Sequence, residues 1–214
     1  MKQILVYADS LSWGIIPMSR NRFAFNERWP GILELNLRSK EQDVRIIEDC
    51  LNGRRTMYED AIKPGRNGLI GLGQRIEINS PLTLVILMLG TNDFQANHDH
   101  TASDAKNGMR ALVHEIRNAP VEPGMEIPEI LVIAPPPILA PKGDIAAKFQ
   151  GGEIKCIGLA KAYKDLCEEL NCHFFDAASV TSSSKEDGVH FDADQHLTFG
   201  NAISEFIYHK FFKQ

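Results

Sequence analysis

Residues 83–93 read TLVILMLGTND. Thr83–Leu89 is apolar at both sets of alternating positions. Alternate residues of a strand face opposite sides of a sheet, so this strand is covered on both sides. That is the pattern of a parallel sheet buried between helices. The run stops at Gly90, and Thr91, Asn92 and Asp93 then place polar groups just beyond its carboxyl end. In an open α/β sheet, ligands bind beyond that edge.

Similar short runs flank it. Ile4–Tyr7 reads as a first strand, Val44–Glu48 as a second and Glu129–Ala134 as a fourth. A short fifth covers His173–Phe175 and ends at Asp176. Helical spacing appears in Trp29–Leu37, Ser103–Asn118, Glu153–Leu170 and Thr198–Phe212. In Ser103–Asn118 the apolar positions are 105, 109, 112, 113 and 116, one face of a 3.6-residue repeat. Alternating strands and helices predict a three-layer α/β/α fold around a five-stranded parallel sheet.

The chain has 214 residues, of which 43% are hydrophobic and 24% charged, with a net charge of −5. This is ordinary for a globular protein able to bury a core of its own, and one domain over 1–214 is expected. Nothing in the overall charge favours nucleic acid or an anionic membrane surface. The four cysteines, Cys50, Cys156, Cys167 and Cys172, form no CxxC pair and read as reduced thiols. The apolar N-terminal run is too short for a secretory leader, and Asp9 and Ser10 follow it at once. A cytoplasmic location is expected. Two long connections, Gly14–Arg28 and Pro135–Gly152, leave the carboxyl ends of strands one and four. They are expected to wall a site or to meet a neighbouring subunit.

Three polar segments close strands one to three, and a fourth lies near the C-terminus. Ser10 follows strand one. A serine hydroxyl is a weak nucleophile until a base takes its proton, and its commoner role is a helix cap. Asp187 and His190, three apart with Gly188 between them, could be a carboxylate-oriented base or a polar turn. Asn92 and Gly53 could donate to a developing oxyanion, or merely punctuate turns.

Together, Ala8-Asp9-Ser10-Leu11, Gly53, Gly90-Thr91-Asn92-Asp93 and Asp187-Gly188-Val189-His190 resemble, in order, the four blocks of the SGNH or GDSL hydrolase superfamily. Ser10-Leu11-Ser12-Trp13-Gly14, Glu27-Arg28-Trp29-Pro30-Gly31, Ala134-Pro135-Pro136-Pro137 and Phe149-Gln150-Gly151-Gly152-Glu153 resemble its bacterial arylesterase and acyltransferase branch. The resemblance implies a flavodoxin-like SGNH fold and a serine esterase acting on small carboxylic esters through an acyl-enzyme, with acyl transfer to alcohols as a further outcome. It implies Ser10 as nucleophile, His190 as base and Asp187 as its orienter. Ser10, Gly53 and Asn92 would form the oxyanion hole, and Phe149 and Ile154 would line the substrate pocket. Trp13, three residues beyond Ser10, is placed either to line that pocket or to sit in the core. Ala8 departs from the family glycine, which matters only if that backbone is left-handed or tightly packed.

The alternatives are a carbohydrate acetylesterase, a thioesterase or lysophospholipase on the same triad, and a non-catalytic module that keeps the site. No cofactor or metal is implied, and the expected partner is a small ester. A homo-oligomer is expected, with Ile15, Ile16, Phe23 and Phe25 suited to its interface. His196 is a rival base without a placed carboxylate. His98 and His100 have two of the ligands a structural zinc would need from four. Gly71-Leu72-Gly73 is an incomplete dinucleotide fingerprint.

Overall fold

A computed structural model describes residues 1–213. Five strands form one sheet: β1 (Lys2–Ala8), β2 (Val44–Cys50), β3 (Leu84–Met88), β4 (Glu129–Ala134) and β5 (His173–Asp176). All neighbouring pairs are parallel, in the order β2-β1-β3-β4-β5. The helices are α1 (Ser10–Trp13), α2 (Trp29–Ser39), α3 (Leu72–Asn79), α4 (Ala102–Arg117), α5 (Gly152–Lys155), α6 (Leu159–Leu170) and α7 (Ala193–Ile207).

Strand alternation divides the core in two. Leu5, Tyr7, Val85, Leu87 and Val132 face Met109 and Leu112 of α4 and Tyr163 and Leu166 of α6. Ile4, Val6, Ile86, Met88 and Ile133 face Trp29 and Leu33 of α2 and Phe199 and Ile203 of α7. Each fully buried Leu or Ile contributes about 1.5–3 kcal/mol. The central strands β1, β3 and β4 are apolar on both faces because helices cover both, whereas the edge strands β2 and β5 are half-buried over most of their length.

Three elements differ from the periodicity reading. The expected helix over Glu153–Leu170 is two, α5 and α6, parted where Gly158 takes φ +87°. The last helix starts at Ala193, five residues before Thr198. Its capping box pairs the Asp192 side chain with the backbone of Gln195, and the Gln195 side chain with that of Asp192. Beyond Ile207 the chain continues as a π turn over Tyr208–Phe212. Helix α3 has no counterpart in the sequence reading. It is short and exposes Ile78, and its first residues are the Leu72 and Gly73 of the apparent nucleotide fragment.

The strand order reverses between β1 and β3. Beyond their carboxyl ends a crevice opens, because the connections leave in opposite directions. Ser10 follows β1 and Asn92 follows β3, so both stand at this crevice.

Candidate active site

At the end of β1 the chain turns directly into α1. Asp9 caps that turn, its Oδ1 accepting the Leu11 N–H at 3.0 Å. Ser10 is the first helical residue and is buried. Ala8 is extended strand, so its Cβ introduces no left-handed strain.

His190 comes from a turn 180 residues away, and its Nε2 lies 3.1 Å from Ser10 Oγ. Its Nδ1 lies 2.6 Å from Asp187 Oδ2. A carboxylate only accepts, so the imidazole proton belongs on Nδ1 and Nε2 keeps its lone pair for the Ser10 hydroxyl. Asp187 Oδ1 accepts the Val189 and His190 N–H groups, each at 2.9 Å. Burial by itself would raise the Asp187 carboxyl. The hydrogen bond and charge of His190, with those two N–H groups, outweigh it and hold the carboxyl below the ordinary aspartate value.

Gly188 makes this turn possible. Its φ is +82°, and a Cβ there would come within 2.5 Å of the Ala140 carbonyl oxygen. The Gly188 and Asp187 carbonyls accept from Leu139 N and Lys142 N at 2.8 and 3.0 Å. The 135–152 loop is thereby fastened to the Asp187–His190 turn.

Gly53 follows β2 with φ +85° and borders the same cleft. Neither its N–H nor that of Ser10 bonds to a protein acceptor among the described residues. Asn92 is held on three sides. Its Nδ2 donates to Asp9 Oδ2 at 2.9 Å and to the Arg54 carbonyl at 3.1 Å, while its Oδ1 accepts from Gln95 Nε2 at 2.8 Å. Burial pushes the Asp9 carboxyl up to about 7, against the Leu11 and Asn92 hydrogen bonds and the Arg54 charge. Asp93 turns away from the cleft, accepting from Thr56 N and Thr56 Oγ1 at 3.0 and 2.7 Å.

Ser10, Gly53, Asn92 and His190 line one cleft of about 30 Å³ with Ile15, Asn52, Ile145 and Phe149. The exposed side chains of Arg20, Lys63 and Lys148 complete it. Both long loops contribute, one through Ile15 and Arg20, the other through Ile145, Lys148 and Phe149. A cavity of about 300 Å³ beside Pro135, Pro136 and Pro137 includes neither Ser10 nor His190. Hydroxyl and imidazole meet only in the smaller space.

The profile of the GDSL-like lipase/acylhydrolase family matches residues 9–200. The chain belongs to this family. As a GDSL-type acylhydrolase it is a carboxylic ester hydrolase of the SGNH kind. The aryl esterase of M. smegmatis is 35% identical, over 98% of this chain and 99% of that one, with a TM-score of 0.91. A carbohydrate acetylesterase family member from Sinorhizobium meliloti is 36% identical over 98% of each chain, with a TM-score of 0.90. No curated protein matches the sequence.

In this acylhydrolase some expected pocket residues lie elsewhere. Phe149 is at the cleft. Trp13 is not, because Arg22 stacks on its ring at 4.7 Å and bonds its carbonyl. Ile154 is 68% exposed on α5, outside the cleft. Of the apolar loop residues expected at an interface, Ile15 is buried beside Ser10, Ile16 and Phe23 are half-buried, and Phe25 is exposed. His196 is fully buried and accepts the Trp29 N–H at Nδ1. Burial, with the charges of His190 and Arg28, pushes it down to about 3, so it stays neutral. His98 lies against Arg55 and stacks on His100, and no group of three or more candidate metal ligands occurs among the described residues. Among the described residues, no helix is long and apolar enough to cross a membrane.

The sequence reading missed Arg20, Lys63, Ile145 and Lys148. They come from three loops and form no spaced motif. It also missed the buried Arg54, Arg55 and Gln95 beneath Asn92. Polar residues in a loop carry no sign of whether tertiary contacts will bury them.

Proposed function

We propose that this protein hydrolyses short-chain carboxylic esters, acetyl esters above all, through an acyl-enzyme on Ser10. The observation that carries this reading is the relay Ser10 Oγ–His190 Nε2 at 3.1 Å and His190 Nδ1–Asp187 Oδ2 at 2.6 Å, set in a cleft of about 30 Å³. Ser10 Oγ attacks the carbonyl carbon as its proton passes to His190 Nε2. The Asp187 carboxylate stabilises the imidazolium. The oxyanion is met by the N–H groups of Ser10 and Gly53 and by Asn92 Nδ2, whose hydrogen on the Arg54 carbonyl is then shared. His190 returns the proton to the leaving alcohol, and water attacks the acyl-enzyme through the same base. A bound alcohol in place of water completes acyl transfer.

The cleft has room for about two waters, which suits an acetyl group better than a fatty acyl chain. The likeness to an aryl esterase and to a carbohydrate acetylesterase supports acetyl esters of phenols or of sugars as the two leading substrate classes. Comparing kcat/KM for aryl acetates and acetylated sugars separates them. The four unpaired thiols support a reducing compartment such as the cytoplasm.

Ser10→Ala tests the mechanism. It should lower kcat on p-nitrophenyl acetate by at least about 10³-fold and abolish fluorophosphonate labelling. Full turnover by the folded variant would refute Ser10 as nucleophile.

A further inference from the structure

The cleft is basic at its rim although the protein carries a net charge of −5. Arg20, Lys63 and Lys148 reach it from three separate loops. No carboxylate lies within salt-bridge distance of any of them among the described residues. Asp60 shares a groove with Lys63 and Lys148, but it is held by Arg55 at 3.1 Å and by the N–H groups of Ile62 and Lys63. In the adjoining depression beside His190, Lys142 accompanies Arg20, and Asp144 is the acid besides Asp187.

Lys63 and Arg20 both act on Lys148 as like charges. Desolvation, then the charges of Lys63, Arg20 and Arg55, lower the Lys148 ammonium against the pull of Asp60. Arg20 holds φ +60°, a left-handed backbone that L residues rarely adopt. Such strain concentrates at functional sites. Within the cleft, Asn52 Oδ1 is buried without a hydrogen-bond partner. Lys63 and Lys148 also border a groove of about 450 Å³ with Ile62, Ala96 and Ala147. The enclosed part of the cleft, at Ile15, Ile145 and Phe149, suits a small acyl group. The leaving alcohol must depart by the exposed side, past the cations.

We propose that the physiological substrate is a short-chain ester whose alcohol portion carries an anionic group, a carboxylate or a phosphate, held by Arg20, Lys63 and Lys148. This rests on the esterase reading above. Hydrolysis breaks the acyl–oxygen bond, with water supplying hydroxyl to the acyl group and a proton to the anionic alcohol. The anion relieves the repulsion of Lys63 and Arg20 on Lys148, and a hydroxyl beside it would satisfy Asn52 Oδ1.

The test compares acetyl esters of one phenol bearing different para groups: 4-acetoxybenzoate, 4-acetoxyphenyl phosphate, neutral methyl 4-acetoxybenzoate and the trimethylammonium analogue. Each rate is divided by that for hydroxide to remove intrinsic reactivity. The wild type should prefer an anionic member over the methyl ester by at least about tenfold in kcat/KM, the low end of charge focusing in a cleft. A preference for the benzoate identifies a carboxylate ligand, and a preference for the phosphate identifies that group. Arg20→Ala/Lys63→Ala/Lys148→Ala should remove the preference, whereas Lys164→Glu, on the exposed side of α6, should keep it. Salt gives a readout that needs no variant. KM for the anionic ester should rise at least about fivefold between about 20 and about 500 mM NaCl, as screening shortens. A preference that survives the triple substitution, equal use of the neutral and anionic esters, or a preference for the trimethylammonium ester overturns the proposal. A wild type that hydrolyses none of the four esters, nor p-nitrophenyl acetate, instead refutes the esterase reading beneath it.

Discussion

Replacing Asn92 with Ala removes a proposed oxyanion donor and, at the same time, a buried clamp. The two effects can be measured apart. For the rate, deleting one donor to a tetrahedral intermediate lowers kcat by about 10²–10³-fold, or about 2.7–4 kcal/mol. For stability, Asp9 Oδ2 and the Arg54 carbonyl each lose a donor and Gln95 Nε2 loses its acceptor. A buried polar group left unpaired costs about 1–3 kcal/mol. Water entering the cleft relieves part of this, so a net loss of about 3 kcal/mol is expected, survivable against a typical stability of about 5–15 kcal/mol.

Asp9 gives the stability effect a pH signature. Its folded value of about 7 lies above the ordinary 3.8, so the folded state holds the proton longer than the unfolded one. The resulting destabilisation is absent below the unfolded value, grows as pH rises and is complete above the folded value. The Asn92 hydrogen bond lowers the Asp9 carboxyl, so the variant pushes it higher and extends the window upward. At about pH 5 Asp9 is penalised equally in both proteins, whereas at about pH 8.5 the variant carries the larger penalty. The assay is kcat on p-nitrophenyl acetate, with urea midpoints at both pH values. A folded variant within tenfold of wild-type kcat refutes Asn92 as an oxyanion donor. An equal stability loss at both pH values refutes its coupling to Asp9.

Asp187→Asn should fold normally yet lose about 10⁴ in kcat, because an asparagine N–H facing Nδ1 forces the imidazole proton onto Nε2. A loss below tenfold would show that Asp187 does not select the tautomer. Gly188→Ala should cost at least about 1–2 kcal/mol for its left-handed backbone, more through the Ala140 clash, and kcat/KM should fall with it. Thermal melts and steady-state kinetics check this, and an unchanged enzyme would show that the turn tolerates a Cβ. Self-association is expected to involve the exposed Phe25, so light scattering of the wild type and Phe25→Glu should show an oligomer and its weakening. A wild-type monomer rules this out.

The centre of the sheet was legible from the chain alone because β1, β3 and β4, covered on both faces, are apolar along nearly their whole length. Residues 83–89 could hardly be anything else in a 214-residue chain. The four polar segments were also legible, since each abuts a strand end or a glycine turn and they keep a fixed order. Helix α3 was not, because a short helix with few inward positions leaves almost no periodic trace. The break at Gly158 was hidden because apolar spacing continues across it.

For the candidate site, residue types and their order named the groups, and tertiary structure determined their setting. Ser10, Asn92, Asp187 and His190 were candidates by residue type and position. Only folding brings His190 Nε2 to 3.1 Å from a hydroxyl 180 residues earlier. The same holds for what the cleft excludes and attracts. Trp13 turns to Arg22, and Ile154 stays on the surface. Three loops with no common motif deliver Arg20, Lys63 and Lys148 to one rim. Strand and helix patterns follow from neighbours in sequence, whereas a cleft is made by residues whose neighbours are set by the path of the whole chain.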